Sequence, residues 1–527
     1  MKPQGKQTKS GQDPEAQLHG RRIRRIIAAC LCFILAATIY AMVTWYVDNY
    51  DTSLAGLLFT VSIPQKGTGP SAVIEPAKRI AVIAVRYVLI YLALVALTCG
   101  EGLWRKAKDL LRGHKDLPSR SWEKAARIRA ALGGAVLLAG FLSMIVSPAY
   151  ALLTLDVPEY IQRASSQTSL YEEEYVAPRE TGLKAPADKP NLISLYLESM
   201  ETTYASEADG GVQPVNYMPQ LTKLAAENIS FSNTDKLGGF HSTENTNWTM
   251  AALFAGTSGL PFAFPVEQNS MWKYTTFAPS IETLGDLLNR EGYTQEFLCG
   301  SDGEYGGRAL YFRSHGDYSV YDLWKAREAG DIPEDYYVWW GFEDHILFEI
   351  AKKEATRLWE AGEPFNLTIL TVDAHHLGGF VCDACGDEYE EPTANVIACT
   401  DRQVAAFVAW CKEQPFWDST VMVINGDHPR MDNYLTEGVS FLDRTIYNCF
   451  LNARKTPQSG TDFRESTMMD LYPTTLSAMG WEIPGDRLGL GTDLFSATAT
   501  LAERRGIDWL NEEVMRYSQY FVDHFAK

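Results

Sequence analysis

Three apolar stretches, Ile26–Val47, Ile80–Gly100 and Ala130–Leu155, constrain this chain more than anything else in it. Each is long enough for a helix to cross a bilayer, which takes roughly 20 residues, and a crossing helix must satisfy all of its backbone polar groups internally. Arg21, Arg22, Arg24 and Arg25 precede the first stretch. Arg105, Lys106, Lys108, Arg112, Lys115, Arg120, Lys124 and Arg127 lie between the second and third. Basic flanks of this kind mark cytoplasmic faces, so three crossings from a cytoplasmic N-terminus carry everything after about Asp156 to the outside. The first stretch is too long for a cleaved secretory signal. Arg86 sits near the outer end of the second, placed to snorkel to the interface, and Ser53–Ile63 is short enough only to lie along it.

The charge follows the same division. Residues 1–130 are net positive by 11, with 20 Lys and Arg against 9 Asp and Glu, and the whole chain is at −19, which leaves the remainder at −30. So acidic a domain excludes nucleic acid as a partner and leaves the membrane as the expected one. No repeat of 20–50 residues is present, and no glycine fingerprint for a dinucleotide follows a strand. At 527 residues the chain exceeds one core. The expected organisation is a transmembrane region over residues 1–155, a juxtamembrane connector over 156–189 rich in Glu, Ser and Pro, an outer domain over 190–500 and a helical tail over 501–527.

Within the outer part, apolar strands alternate with helical segments, which predicts a mostly parallel sheet covered on both faces. Expected strands are Asn191–Leu197, Ile229–Phe231, Thr294–Leu298, Phe365–Val372, the run from Val421 to the Gly-Asp-His at 426–428, and Thr445–Leu451. Expected helices are Met218–Glu227, Met250–Ala255, Ile281–Arg290, Arg308–His315, Phe342–Ala361, Asn395–Cys411 and Ser466–Met479. Three of the strands end in groups that bind cations: Glu198, then Asp373 with His375, then Asp427 with His428. In a parallel sheet all of these open on one edge. Gly426 is read as the residue that lets the chain turn there. Thr249 stands at a predicted helix N-terminus, where unpaired N–H groups favour an anion, and Arg308 offers a planar fork for phosphate. Two carboxylates, an imidazole and a hydroxyl make an oxygen and nitrogen site suited to Mn²⁺, Zn²⁺ or Mg²⁺. Cys382, Cys385 and Cys399 fall close together, and a loop disulfide is favoured over structural zinc, which would want a fourth ligand.

The segments LES at Glu198, NWT at Thr249, RALYFRSHG from Arg308, LTVDAH up to His375 and GDH at Asp427–His428 resemble the lipoteichoic acid synthase and phosphoglycerol transferase branch of the alkaline-phosphatase superfamily. SLAGLLFTVSIPQKGTG, ACTDRQVAAFVAW and LGLGTDLF add to that likeness, which is closest to the membrane phosphoglycerol transferases of osmoregulated periplasmic glucans. The resemblance implies an α/β, alkaline-phosphatase or sulfatase-like fold behind a helical membrane region. It implies a divalent ion, most often manganese, on Glu198, Thr249, Asp427 and His428, with Thr249 also the nucleophile, and Arg308 and His375 on the substrate. It further implies phosphatidylglycerol as donor, a glycan or cell-envelope polymer as acceptor, and an extracytoplasmic catalytic domain on a multi-pass membrane protein. The rival expectations are a phosphoethanolamine transferase or phosphodiesterase of the same superfamily and, from another class, a non-catalytic membrane-anchored scaffold.

Overall fold

The computed structural model describes residues 14–50, 54, 57–58, 70–102, 104–105, 119–264 and 275–526. Most of the expected interfacial segment Ser53–Ile63, and Lys106, Lys108, Arg112 and Lys115, lie outside the described residues. The chain divides into two compact units, one of residues 1–48 and 72–158, the other of 49–71 and 159–527.

The first unit is three long helices, α1 (Pro14–Asn49), α2 (Pro70–Cys99) and α3 (Ser119–Thr154). Each contains a span long and apolar enough to cross a membrane: Gln17–Asn49, Pro76–Cys99 and Trp122–Thr154. The expected apolar stretches fall inside these helices to within a residue. Small and aromatic residues let the helices approach. Tyr91 stacks on Phe33 at 4.0 Å and donates its hydroxyl to the Val136 carbonyl at 3.1 Å, while a side chain on Gly140 would strike Tyr91 and the Ala29 backbone. The Ser147 hydroxyl donates across the bundle to the Ala36 carbonyl at 2.7 Å. Val82, Leu97, Ile145 and Leu153 are left bare on the outside, as suits a surface solvated by acyl chains.

The second unit is built on a six-stranded sheet. Its strands are β1 (Asn191–Leu197), β2 (Thr294–Cys299), β3 (Ser319–Tyr321), β4 (Phe365–Leu370), β5 (Thr420–Gly426) and β6 (Asn448–Leu451), in the order β3-β2-β4-β1-β5-β6. All neighbours are parallel except β6, which runs antiparallel to β5. The period-2 pattern of the strands splits the core cleanly. Leu192, Tyr196, Val421 and Val423 pack on one face with α5 (Thr249–Ser258), α6 (Leu284–Arg290), α7 (Arg308–Ser314) and α11 (Leu471–Ala478). Ile193, Leu195, Leu197, Met422 and Ile424 pack on the other with α4 (Pro219–Glu227), α8 (Leu323–Ala329), α9 (Asp344–Glu360) and α10 (Pro392–Lys412). Because β1 is buried on both sides, its apolar run is nearly continuous.

Several expectations change in detail. Thr445–Leu451 is not one strand: Thr445–Ile446 pairs with Phe240–His241 in a separate ribbon, and only Asn448–Leu451 joins the main sheet. The hinge is Tyr447, fully buried with its hydroxyl donating to the Leu221 carbonyl at 2.9 Å. Ile229–Phe231 makes a single bridge, to Phe450, rather than a strand. β3 and α8 were not expected from the sequence; the Asp322 carboxylate caps α8 by accepting from the Trp324 and Lys325 N–H groups. The residues expected to link membrane and outer domain are ordered into helices Val157–Ser165, Leu170–Glu174 and Pro178–Thr181, with Tyr171 buried against Phe521 and Phe525 near the C-terminus. The expected loop disulfide is not formed. Cys382 and Cys385 are free thiols with sulfurs 3.7 Å apart, against about 2.05 Å for a bonded pair.

One strand carries a titratable carboxyl inside the fold. Burial, reinforced by the neighbouring Glu354 carboxylate, pushes Glu296 on β2 up to about 7, although Arg357 reaches it at 2.6 Å. A carboxyl raised in the native state is neutral there while its unfolded counterpart ionises, so stability falls as pH climbs from about 4.5 to about 7. Glu296→Gln is therefore expected to leave stability at pH 4 nearly unchanged and to raise it at pH 8, by about 1–3 kcal/mol. Denaturant titrations of both proteins at the two pH values measure this directly.

Candidate active site

The carboxyl edge of the sheet collects groups from β1, β4 and β5, its three central strands. Register brings Leu197 opposite Gly426, so the next residues, Glu198 and Asp427, emerge side by side. The approach is closer than any side chain at position 426 would permit: a Cβ there would lie 1.9 Å from the Met200 carbonyl oxygen. Gly426 thus serves a close approach to the segment that follows β1 and not the turn expected of it. Past β1 the chain bends at Ser199, whose φ of 54° is in the left-handed region. That bend aims the Ser199 N–H at Asp427 Oδ1, 2.8 Å away, and the His428 N–H reaches the same oxygen at 2.8 Å.

Thr249 enters as the first residue of α5. The polar run before it gives no helical pattern, whereas Met250–Ser258 is entirely buried, so the helix starts where the apolar residues do. Trp248 precedes it without a side-chain cap, leaving the first N–H groups directed outwards beside the threonine. The Thr249 hydroxyl donates to Glu198 Oε2 at 3.2 Å and lies 3.3 Å from His428 Nε2. His428 Nε2 is in turn 3.5 Å from Glu198 Oε1 and 3.4 Å from Asp427 Oδ2. Its other nitrogen donates to the Pro429 carbonyl at 2.8 Å, which fixes the ring and directs the Nε2 lone pair into the cluster.

These four residues, singled out from distant parts of the sequence, therefore face one another. Glu198, Asp427 and His428 are buried and offer ligand atoms within 4.8 Å of one another, while Thr249 is half-buried and reachable. Their charges are poorly balanced. Burial and the Glu198 carboxylate push Asp427 up to about 7. Burial also opposes charge on Glu198, but the His375 and His428 imidazoles and the Ser199 and Thr249 hydroxyls outweigh it and hold the group below its ordinary value. His428 is raised, the Asp427 and Glu198 carboxylates overcoming its burial. Asp427 Oδ2 accepts no hydrogen bond although it is fully buried. An orphan carboxylate oxygen, a second carboxylate, an imidazole lone pair and a hydroxyl fit a divalent cation by donor type and by number.

Arg308 and His375 stand on the adjoining walls, without a hydrogen bond to the four. Arg308 begins α7, and the turn before it abuts α5 at Met250. Its guanidinium donates to the Tyr305 and Asp302 carbonyls and the Ser301 hydroxyl, lies over the Tyr305 ring and forms no ion pair with a described residue. His375 stacks on His376 at 4.1 Å, lies against the tilted ring of Trp340 at 4.6 Å, and gives its Nδ1 proton to the His376 carbonyl. Burial lowers its pKa, against the Glu198 carboxylate, which raises it. Asp373 does not join the cluster. Its carboxylate accepts from the Asp344 N–H at 3.1 Å, with burial and Asp344 keeping its pKa well above the ordinary value. Glu304 is taken by Arg313 at 2.6 Å.

Sequence reasoning passed over the layer that holds these groups. Thr371 accepts from the Glu198 N–H at 2.8 Å. Below His428, Arg430 is fully buried, pairs with Asp432 and donates to the Ala374 carbonyl at 2.6 Å, tying the His428 loop to the His375 loop. Glu201 accepts from the Arg430 N–H at 3.0 Å and from Arg444 at 2.8 Å. The sequence signal was an arginine and an aspartate immediately after GDHP, charged residues in a segment otherwise bound for the interior.

A mostly parallel sheet with helices on both faces, opening on a mixed carboxylate, imidazole and hydroxyl cluster, defines an α/β protein with a candidate cation-binding edge. Residues 190–481 match the sulfatase family, and the chain belongs to it. It is similar to phosphoglycerol transferase I of Xanthomonas axonopodis pv. citri (strain 306), 30% identical over 383 residues that make up 71% of this chain and 52% of the relative. It is also similar to phosphoglycerol transferase I of Salmonella choleraesuis (strain SC-B67), 28% identical over 88% of this chain and 56% of the relative. The chain thus spans about half the length of the curated relatives it matches. Among solved structures, the lipoteichoic acid synthase LtaP from Listeria monocytogenes aligns with a TM-score of 0.46 and 18% identity, covering 60% of this chain and 79% of that one.

Proposed function

We propose that the chain is a membrane-anchored, divalent-metal-dependent transferase that moves phosphoglycerol from phosphatidylglycerol to a glycan or cell-envelope polymer through an ester on Thr249. The observation that carries this reading is the Thr249 hydroxyl, half-buried at the start of α5 and within 3.3 Å of both Glu198 and His428, beside an Asp427 oxygen with no hydrogen-bond partner. Its support from relatives is the name phosphoglycerol transferase I. The three apolar helices and their basic flanks support a multi-pass anchor with the catalytic domain, residues 190–500, outside the membrane.

Glu198, Thr249, Asp427 and His428 would hold the cation, Mn²⁺ by preference, with Zn²⁺ or Mg²⁺ compatible with the same donors. When bound, it makes the threonine hydroxyl easier to deprotonate and offsets charge on the phosphoryl oxygens. Arg308 and His375 grip the phosphate, the arginine through its Nη1 group, since Nε and Nη2 are held by Tyr305, Ser301 and Asp302. The uncapped N–H groups of α5 face the same anion. Thr249 attacks phosphorus as the P–O bond to diacylglycerol breaks; the hydroxyl proton leaves along the hydrogen bond to Glu198 Oε2 and is passed on to the departing diacylglycerol oxygen. An acceptor hydroxyl then displaces the threonine by the reverse geometry. Sulfate-ester chemistry is disfavoured, since the outer domain has no CxPxR or SxPxR segment to supply a formylglycine.

The test is to incubate the full chain in phosphatidylglycerol proteoliposomes with Mn²⁺ and to map the Thr249 peptide by mass spectrometry. Glycerophosphate on Thr249 with release of diacylglycerol is expected. Phosphoethanolamine on that peptide from phosphatidylethanolamine liposomes, with none from phosphatidylglycerol, would reassign the donor. Release of free glycerophosphate that candidate glycans do not divert would make the protein a phosphodiesterase.

A further inference from the structure

Three cysteines outside the candidate active site converge on a point that none of the preceding chemistry uses. Cys382 and Cys385 lie in the segment that follows His375 and His376, and Cys399 projects from α10. Cys382 Sγ is 3.7 Å from Cys385 Sγ and 4.0 Å from Cys399 Sγ, and all three sulfurs fall within 4.8 Å of one another. Cys382 and Cys399 are buried, Cys385 is partly exposed, and all are free thiols. Gln403, one turn along α10, donates its amide N–H to Cys399 Sγ at 3.0 Å.

Zinc binds thiolate sulfur at about 2.3 Å, so sulfurs sharing a tetrahedral zinc are separated by about 3.8 Å. The 3.7 and 4.0 Å separations of Cys382 Sγ from the other two sulfurs bracket that value. Bonded sulfurs would sit at about 2.05 Å, and three cysteines cannot all be paired: any one bond leaves the third thiol packed against it. The Gln403 donor is the kind of outer contact that orients a metal-bound thiolate. We propose that Cys382, Cys385 and Cys399 form a structural site for a thiophilic divalent cation of the zinc class, with solvent at the partly exposed Cys385 supplying the fourth ligand. The site staples the segment bearing His375 to α10. That segment is also held by Gly378 N–H to Asp432 at 2.8 Å, Thr393 hydroxyl to the Gly378 carbonyl at 3.1 Å and Arg402 to Glu388 at 3.1 Å.

The experiment uses the full chain purified in detergent without chelator or reductant. Zinc is counted by elemental analysis and by its release to a chromogenic indicator on adding a thiol-binding mercurial. The unreduced protein is separately alkylated under denaturing conditions and mapped by mass spectrometry. One equivalent of mercurial-released zinc is expected in wild type and in Asp427→Ala, which keeps all three thiols, with none in Cys382→Ser or Cys399→Ser. All three cysteines should be alkylated in the unreduced wild type. A disulfide joining any two of them, or wild-type protein that releases no zinc to the mercurial, would overturn the proposal even if the serine variants failed to fold. Neither result bears on Thr249, so the transferase reading stands or falls separately.

Discussion

Thr249→Ala is expected to lower phosphoglycerol transfer by at least about a thousandfold while leaving the fold intact, as loss of a covalent nucleophile does elsewhere. The residue begins α5 and its own side chain is only half-buried, so deletion of the hydroxyl leaves the helix, whose other residues carry the packing, in place. It removes a donor to Glu198 and nothing else that the fold depends on. Thr249→Ser, which restores a hydroxyl but not the methyl that steadies the rotamer, should recover part of the rate. The rates are read from diacylglycerol released by liposome-bound enzyme, with circular dichroism to establish that each variant is folded. Undiminished turnover in Thr249→Ala would remove the covalent intermediate from the mechanism.

Chelation should have an effect of similar size and a different signature. Without a cation, the carboxylates of Glu198 and Asp427 and the ring of His428 are confined in a space where burial and mutual repulsion drive Asp427 toward its protonated form. Stripping divalent ions is therefore expected to abolish transfer, and returning Mn²⁺ to restore it. Thermal unfolding should shift upward by roughly 3–5 °C when Mn²⁺ saturates the site, because binding to the native state alone stabilises it. Asp427→Ala should show neither recovery nor shift. Calorimetric titration of Mn²⁺ into stripped wild type and the variant checks this, and equal binding by both would exclude Asp427 as a ligand.

The sheet was legible because β1, β4 and β5 are buried on both faces, which forces near-continuous apolar runs that end abruptly in polar residues. Those abrupt ends also made Glu198, Asp427 and His428 conspicuous, and parallel strands place such ends on one edge whatever the connections between them. Thr249 was visible for a different reason: a helix made of Met250–Ala255 must begin next to it. Less of the rest could be read. Asp373 occupies a strand end as plausibly as Asp427, yet its carboxylate turns to the N-terminus of α9, a choice made by Asp344 from another part of the chain. Tyr447 sends one apolar run into two sheets through a contact with Leu221, more than two hundred residues earlier. β3 has only three residues, too few for a periodic pattern to stand out. Likewise, nothing in the pattern marked Arg444 as an interior residue, since a buried arginine is set by the partners that surround it.

That buried pair of arginines has a mechanical consequence. Arg430 holds the backbone at Ala374, Glu201 holds the backbone at Arg430, and Arg444 holds Glu201, so the loops leaving β1, β4 and β5 are braced to one another from beneath. None can drift without dragging its neighbours. On the proposed function, a lipid head group arriving at this edge would meet a rim already set to its working dimensions, and the free energy of its arrival would go into the encounter instead of into folding the rim around it.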